Sequence, residues 1–389
     1  MSTQPTAPVV TSSFHEPGAR KRSSYLPQLD GLRGIAILSV LLHHFGVHLP
    51  GWLDWGPTGV RIFFLLSGYL ITLSLWKLEN PGPGGYWYGL FSFHRRRMVR
   101  LTPSLYFMLL IAAIFSVEGY REALHWHAAF LSNFYVLKMD YWPGAASHLW
   151  SLSVQEQFYL LWPFLLLIVP RKYLPWALLA LMAGAFVYRF TFMKIEASVF
   201  YRWVMLPSVI DSFALGALIA CWKRANKPFP LAEGRTGLWI GIAAGACYIV
   251  ARTLRMALFV SPWFSVIDTF ENVFLGWLML RTIVGWKGWL GRFFENPVLV
   301  YIGKVSYGLY VFHVLVHVFV GPLLNQMGLT MEAYAFPRSL ILIAISVGVA
   351  AISYHYVEAP LATWVRRRYD AAPPRREVAP AREGGQATA

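Results

Sequence analysis

The chain has 389 residues, 57% apolar and only 14% charged, with 16% aromatic residues including 17 Trp. A soluble domain carries about 25% charged residues, so the composition excludes a pair of soluble domains and implies a polytopic membrane protein with room for about ten spans. The net charge of +15 would suggest nucleic acid in a soluble protein. Here the basic residues cluster between apolar runs, where they orient helices in a bilayer, and no nucleic-acid partner is expected.

Residues 1–24 read as a flexible basic arm ending in Arg20-Lys21-Arg22, without the apolar core of a cleaved signal peptide. Ten apolar segments follow, near 32–49, 58–77, 99–118, 150–169, 173–192, 207–222, 237–257, 264–284, 297–320 and 337–357. The stretch near 125–138 is too short and polar for a span and reads as interfacial or re-entrant. From residue 362 the sequence turns rich in Pro, Ala and charge, which predicts a disordered basic tail. A membrane domain over 25–361 remains. Cys221 and Cys247 sit in apolar segments without metal-type spacing, so neither a disulfide nor a zinc site is expected.

Orientation follows from where Lys and Arg sit. With the N-terminus in the cytoplasm, the inside connections hold Arg95–Arg97 and Arg100, Arg171-Lys172, the basic residues between Lys223 and Arg235, Lys287 and Arg292, and Arg366–Arg368. The expected fold is therefore an all-α polytopic membrane protein of about ten transmembrane helices, with both termini cytoplasmic.

Ionisable groups inside spans cost at least ~2.5 kcal/mol each and usually mark function. Arg33 and His44 are eleven positions apart on the first apolar segment, which puts them on one helix face about 16 Å apart; His43 is rotated about 100° away. Counted from the expected segment ends, His44 and Glu156 lie at similar depth, which suggests a shared polar site. Glu156, flanked by Gln155 and Gln157, also fits a plain role as hydrogen-bonding glue between helices. Asp211, early in its segment, is a further candidate for the polar site. His313 and His317 stand at i, i+4 and could geometrically ligate a metal, but without a nearby carboxylate motif packing or pore lining is the expectation. Glu358 and His355 read as residues that cap a helix end or pair with a basic loop. Arg97 and Arg100 share a face at i, i+3, and guanidinium groups favour phosphate.

Taken together, LDGLRGIAILSVLLHHF, GVRIFFLLSGYLI, FHRRRMVRLTP, HLWSLSVQEQFYLLWP, LPSVIDSFALG, KVSYGLYVFHVLV and SYHYVEAPL resemble, in order and spacing, the acyltransferase-3 family of bacterial membrane acyltransferases. The resemblance implies a multi-pass enzyme of the bacterial inner membrane. Such an enzyme moves an acyl group, most often acetyl from cytoplasmic acetyl-CoA, onto a hydroxyl of an envelope or exported glycan or a lipid-linked sugar. A small metabolite such as a macrolide is the alternative acceptor. The family's Arg-x10-His element falls on Arg33 and His44, and its Arg-x-x-Arg element, on the CoA-binding side, falls on Arg97 and Arg100.

Two departures stand out. Val154-Gln155-Glu156-Gln157 replaces the family's Val-Glu-x-Gln, shifting the carboxylate by one position. Gly59-Val60-Arg61 replaces Gly-Val-Asp, a reversal of charge. On this reading Arg97, Arg100 and Arg33 hold the CoA phosphates and His44 deprotonates the acceptor hydroxyl or carries the acyl group. Glu156 or Asp211 orients the imidazole, and Ser306 or Tyr307 holds the oxyanion. No metal is expected, nor a hydrolase-like domain after the last span. The reading from another class is a proton-coupled transporter that uses the same buried groups.

Overall fold

The structure is a computed structural model that describes residues 25–47, 55–79, 85–194, 198–225, 234–257 and 263–369. The 1–24 arm and the tail beyond 369 lie outside these residues. The described residues form helices and no strand: α1 (Pro27–His44), α2 (Trp55–Trp76), α3 (Gly85–Ile114), α4 (Leu124–Ala128), α5 (Ser132–Met139), α6 (Leu149–Ile168), α7 (Leu174–Lys194), α8 (Val199–Trp203), α9 (Leu206–Arg224), α10 (Gly234–Ala257), α11 (Trp263–Val284), α12 (Gly288–Phe294), α13 (Pro297–Lys304), α14 (Ser306–Gln326), α15 (Met331–Ser353) and α16 (Ala359–Tyr369).

Among the described residues, six stretches are long and apolar enough to cross a membrane: Gly56–Trp76, Gly85–Ile114, Arg171–Phe192, Val199–Arg224, Ser306–Gln326 and Met331–Tyr369. The protein is thus a multi-pass membrane protein. The other apolar segments also fold as helices, but their polar residues lower their mean hydropathy. Helix α1 carries Asp30, Arg33, His43 and His44; α6 carries Gln155, Glu156 and Gln157; α11 carries Asp268, Glu271 and Arg281.

Three boundaries differ from the sequence expectation. Helix α1 runs from Pro27, a residue suited to a first helical position, and ends at His44. It therefore starts and stops about five residues earlier than the apolar run suggests. The single segment expected over 297–320 is two helices broken at Val305, with the Asn296 side chain accepting from the Val298 and Leu299 amides to cap the first. Hydropathy averaged over the segment passes over that break, although Gly303, Lys304 and Ser306 flank it. The third difference is at the C-terminal end, where residues 362–369 are helical as part of α16. Tyr88 donates to the Tyr369 carbonyl (3.1 Å), and the Arg95 guanidinium lies 3.8 Å from the Tyr369 ring centre.

The 125–138 stretch folds as the short helices α4 and α5. Buried His127 pins them, with Nδ1 on Ser132 Oγ and Nε2 on the Gly119 carbonyl, both at 2.8 Å. Cys221 and Cys247 are free thiols.

Helix α2 packs along α9 and α1 in the middle of the bundle. Without a solvent-driven hydrophobic effect between helices in lipid, close backbone approach at small residues is what holds such pairs. Gly68 and Gly216 supply it. A Cβ on Gly68 would lie 2.0 Å from the Phe213 carbonyl oxygen, and one on Gly216 2.0 Å from that of Leu65. Gly68→Ala is expected to destabilise the protein by about 1–3 kcal/mol through overpacking. Gly184→Ala, where a Cβ meets nothing within 4 Å, should not. Thermal unfolding of the two detergent-solubilised variants beside the parent checks this, and equal midpoints would refute the close-packing account.

Candidate active site

A cavity of about 710 Å³ opens between α2, α3, α6, α14 and α16, within the usual range for ligand sites. It follows α2 from Val60 to Lys77, about 25 Å along the helix axis. Five cations line it: Arg33, Lys77, Arg96, Arg97 and Arg100. Its carboxylate is Glu358.

Each arginine is delivered by helix register. Arg97 and Arg100 project from one face of α3, and the Arg97 guanidinium lies 3.4 Å from the ring centre of Tyr159 on α6. Arg33, two turns into α1, donates from Nη2 to Ser306 Oγ (3.0 Å), the first residue of α14. Among the described residues none of Arg33, Arg97 and Arg100 has a carboxylate within ion-pair distance. Glu358, in a π-helical turn over Tyr354–Glu358, is held instead by Ser104 (3.3 Å) and Ser353 (3.2 Å). Three guanidinium groups with no carboxylate at ion-pair distance among the described residues make the cavity suited to an anion with several charged oxygens.

The far end of the cavity is closed by Ser151 and Tyr310. Their hydroxyls meet at 2.5 Å, and Tyr310 also donates to the His148 carbonyl (2.8 Å). Immediately behind stand three imidazoles. His44 and His313 have ring centres 4.9 Å apart, His148 and His313 5.0 Å, and His44 and His148 6.4 Å. His44 Nδ1 lies 2.9 Å from the Val40 carbonyl oxygen. A carbonyl can only accept, so Nδ1 carries the proton and Nε2 presents its lone pair. Among the described residues no group of three or more His, Cys, Asp or Glu has a geometry able to hold a metal ion.

The other expected site residues are distributed as follows. Ser306 and Tyr307 line the cavity, but at its arginine end: Ser306 receives Arg33, and the Tyr307 hydroxyl donates to the Leu101 carbonyl. Ser306 stands seven residues, about 10 Å, before His313 on α14. The hydroxyls that stand beside the imidazoles are those of Tyr310, whose ring centre is 5.5 Å from that of His148, and its hydrogen-bond partner Ser151.

Glu156 interacts electrostatically with Arg97, and the His44 ring is held through Nδ1 by the Val40 carbonyl. The flanking glutamines bind neighbours. Gln155 donates to Ser67 (2.6 Å) and Gln157 to Asn133 (2.9 Å) and the Phe130 carbonyl (3.1 Å). Asp211 is engaged elsewhere, 2.8 Å from Arg189 on α7.

The family model described as an acyltransferase domain matches residues 26–356. The chain belongs to the acyltransferase-3 family. The imidazoles and the cavity's arginines lie inside the matched region, and the cavity's wall from Glu358 to Thr363 lies just beyond it. The chain is 29% identical over 376 residues to the peptidoglycan O-acetyltransferase OatA of Listeria monocytogenes, covering 88% of this chain and 56% of that one. It is 26% identical over 369 residues to the O-acetyltransferase OatA of Staphylococcus aureus, covering 87% and 57%. The chain thus spans less than three-fifths of the length of these curated relatives. No solved structure matches it.

The departure from the family pattern at Arg61 has a structural explanation. Arg61 pairs across to α11, 2.9 Å from Asp268 and 3.3 Å from Glu271, so the reversed charge on α2 is answered by carboxylates on a neighbouring helix. Of the imidazole cluster, sequence passed over His148 and weighed His313 only as a metal ligand beside His317, with packing or pore lining as the expectation. His148 opens the HLWSLSVQEQF motif just outside a helix start, where it reads as a loop residue. His313 lies in a continuous apolar run and reads as packing.

Proposed function

We propose that this acyltransferase takes an acetyl group from cytoplasmic acetyl-CoA and esterifies a hydroxyl of a cell-envelope glycan. It does so from the bacterial cytoplasmic membrane, which it crosses ten times with both termini inside. The observation that carries the reading is the cavity with Arg33, Arg97 and Arg100 unpaired by carboxylates, leading to a ring whose Nε2 is the free nitrogen. The CoA phosphates lie on the arginines as charge-assisted pairs, and the thioester extends toward Tyr310 and His44. The cavity's length along α2 suits an extended donor. Two O-acetyltransferase relatives, one of them acting on peptidoglycan by name, support acetyl as the group and an envelope glycan as the acceptor.

Labelled acetyl-CoA supplied to membranes that contain the protein should give base-labile label in envelope glycan with release of CoA. Glycan from a deletion strain should lose an acetyl increment of about 42 Da per ester. An unchanged glycan mass would overturn the acceptor, and solute movement without CoA release would favour a transporter. Arg97→Ala removes one charge-assisted contact, worth about 1.5–3 kcal/mol, and is expected to weaken CoA binding roughly 10- to 150-fold. Titration calorimetry in nanodiscs reads this directly, and an unchanged affinity would remove Arg97 from the donor site.

A further inference from the structure

The imidazole cluster has an imbalance of hydrogen-bonding groups. His44 places Nδ1 on the Val40 carbonyl at 2.9 Å, His148 on that of Ala145 at 3.2 Å, and His313 on those of Tyr310 at 2.9 Å and Leu309 at 3.2 Å. Each neutral ring therefore spends its one N–H on the backbone. What remains between the rings is lone pairs and no donor. The Nε2 atoms of His148 and His313 are buried without a hydrogen-bond partner, a state that native interiors avoid unless a ligand completes it. The missing group is a hydrogen-bond donor, and an alcohol is one.

His44 and His313 differ in a way that divides the work. His44 is half-buried at the end of α1, on the helix face that carries Arg33 into the donor cavity. Tyr310, which lines the donor cavity, has its ring centre 5.7 Å from that of His313, so the cavity ends one side chain short of the imidazoles. His313 is fully buried, with α14 continuing on both sides. At 0% exposure against the half-buried His44, His313 is the less open of the two to a transferred acyl group.

We propose that His313 is a second catalytic residue: it takes the acceptor hydroxyl's proton while His44 carries the acyl group in a two-step transfer. In the first step the His44 Nε2 lone pair adds to the thioester carbonyl carbon, the C–S bond breaks, and CoA leaves as its thiolate. In the second the acceptor oxygen adds to that carbon and its proton passes to His313 Nε2. The C–N bond then breaks, its electron pair returning to His44. The proton leaving His313 and the one neutralising the thiolate exchange through solvent. The sum is acyl-CoA plus alcohol giving ester plus CoA thiol. His148 packs against both rings and fixes their spacing.

This inference rests on the acetyl-CoA reading above, and the test separates the two. The full-length protein in nanodiscs is given unlabelled acetyl-CoA and labelled CoA without acceptor, and label entering acetyl-CoA reports the first step alone. Base-labile acetate on the envelope glycan of cells making the same variants reports both steps. The parent should show exchange. His44→Gln should lose exchange and glycan acetate together. His313→Gln and His313→Asn should keep exchange within about twofold and lose glycan acetate by a factor on the order of 10²–10⁴, the usual worth of a general base.

Retained glycan acetate in both His313 variants would overturn the proposal. So would loss of exchange in both, which a merely structural role predicts. A parent that acetylates glycan without exchange would overturn the two-step route. A parent that does neither refutes the acetyl-CoA reading itself.

Discussion

Replacing His44 with alanine is expected to lower acetyl transfer by at least a factor on the order of 10²–10⁴, the contribution of a positioned acid–base or nucleophilic imidazole. The protein should still fold, and the structure gives the reason. His44 makes one hydrogen bond, to the Val40 carbonyl of its own helix, and it is half-buried at the last position of α1. Its removal leaves no charge or donor stranded in a neighbouring element. Val40 retains its place in the α1 backbone, and the α1 contacts with α2 and α13 lie earlier along the helix. His43 provides the control. It is adjacent in sequence but turned about 100° round the helix, with its ring centre 5.4 Å from that of His44. His43→Ala should keep most of the rate. The measurement is the initial rate of label transfer from acetyl-CoA to base-labile envelope material, normalised to folded protein by size-exclusion chromatography. A His44→Ala protein that is monodisperse and retains most of its rate would remove His44 from the chemistry.

The Arg33–His44 register was readable because it needs only helical periodicity, and both residues do lie on one helix. The cluster around His44 was not readable, and the cause is a boundary. Hydropathy placed the first span near 32–49, whereas the helix ends at His44. That shift of about five residues moves His44 from within the expected span to its rim. There it meets His148, the residue before α6, instead of Glu156, eight positions and about 12 Å further along that helix. The ring that His44 meets beside α6 is that of His148, while Glu156 interacts with Arg97.

The same limit explains Ser306. In one unbroken 297–320 span it is an interior residue, but after the break at Val305 it opens α14 and receives Arg33. Hydrophobic pattern locates helices, but their ends are set by local capping and by which neighbour each end meets. The imidazole cluster is assembled from such ends.

Replacing Arg189 with alanine is expected to cost about 3–5 kcal/mol of stability, the penalty for stranding a buried charge. Arg189 on α7 is 2% exposed and Asp211 on α9 is 4% exposed, and their charged atoms are 2.8 Å apart. Arg189 also lies 3.7 Å from Asp268 on α11 and donates from Nη1 to the Ser208 carbonyl. Asp268 in turn pairs with Arg61 on α2 at 2.9 Å. Four helices are therefore tied through one chain of alternating charge, Asp211–Arg189–Asp268–Arg61. Asp211, Asp268 and Arg61 all sit in the first two turns of their helices.

Removing Arg189 leaves the Asp211 carboxylate without its cation in an apolar bundle, held by the Ser212 amide at 2.9 Å, which is unfavourable. Removing both charges at once, as Arg189→Met with Asp211→Leu, should recover a large part of the loss, because the desolvation cost disappears with the pair. Thermal unfolding of the single and double variants in one detergent gives the comparison. Acetyl transfer per folded molecule separates a structural Asp211 from one that orients His44. On the geometry, Asp211→Asn should lower the unfolding midpoint and leave the rate per folded molecule within a few-fold of the parent. A variant of undiminished stability whose rate collapsed would return Asp211 to the catalytic site.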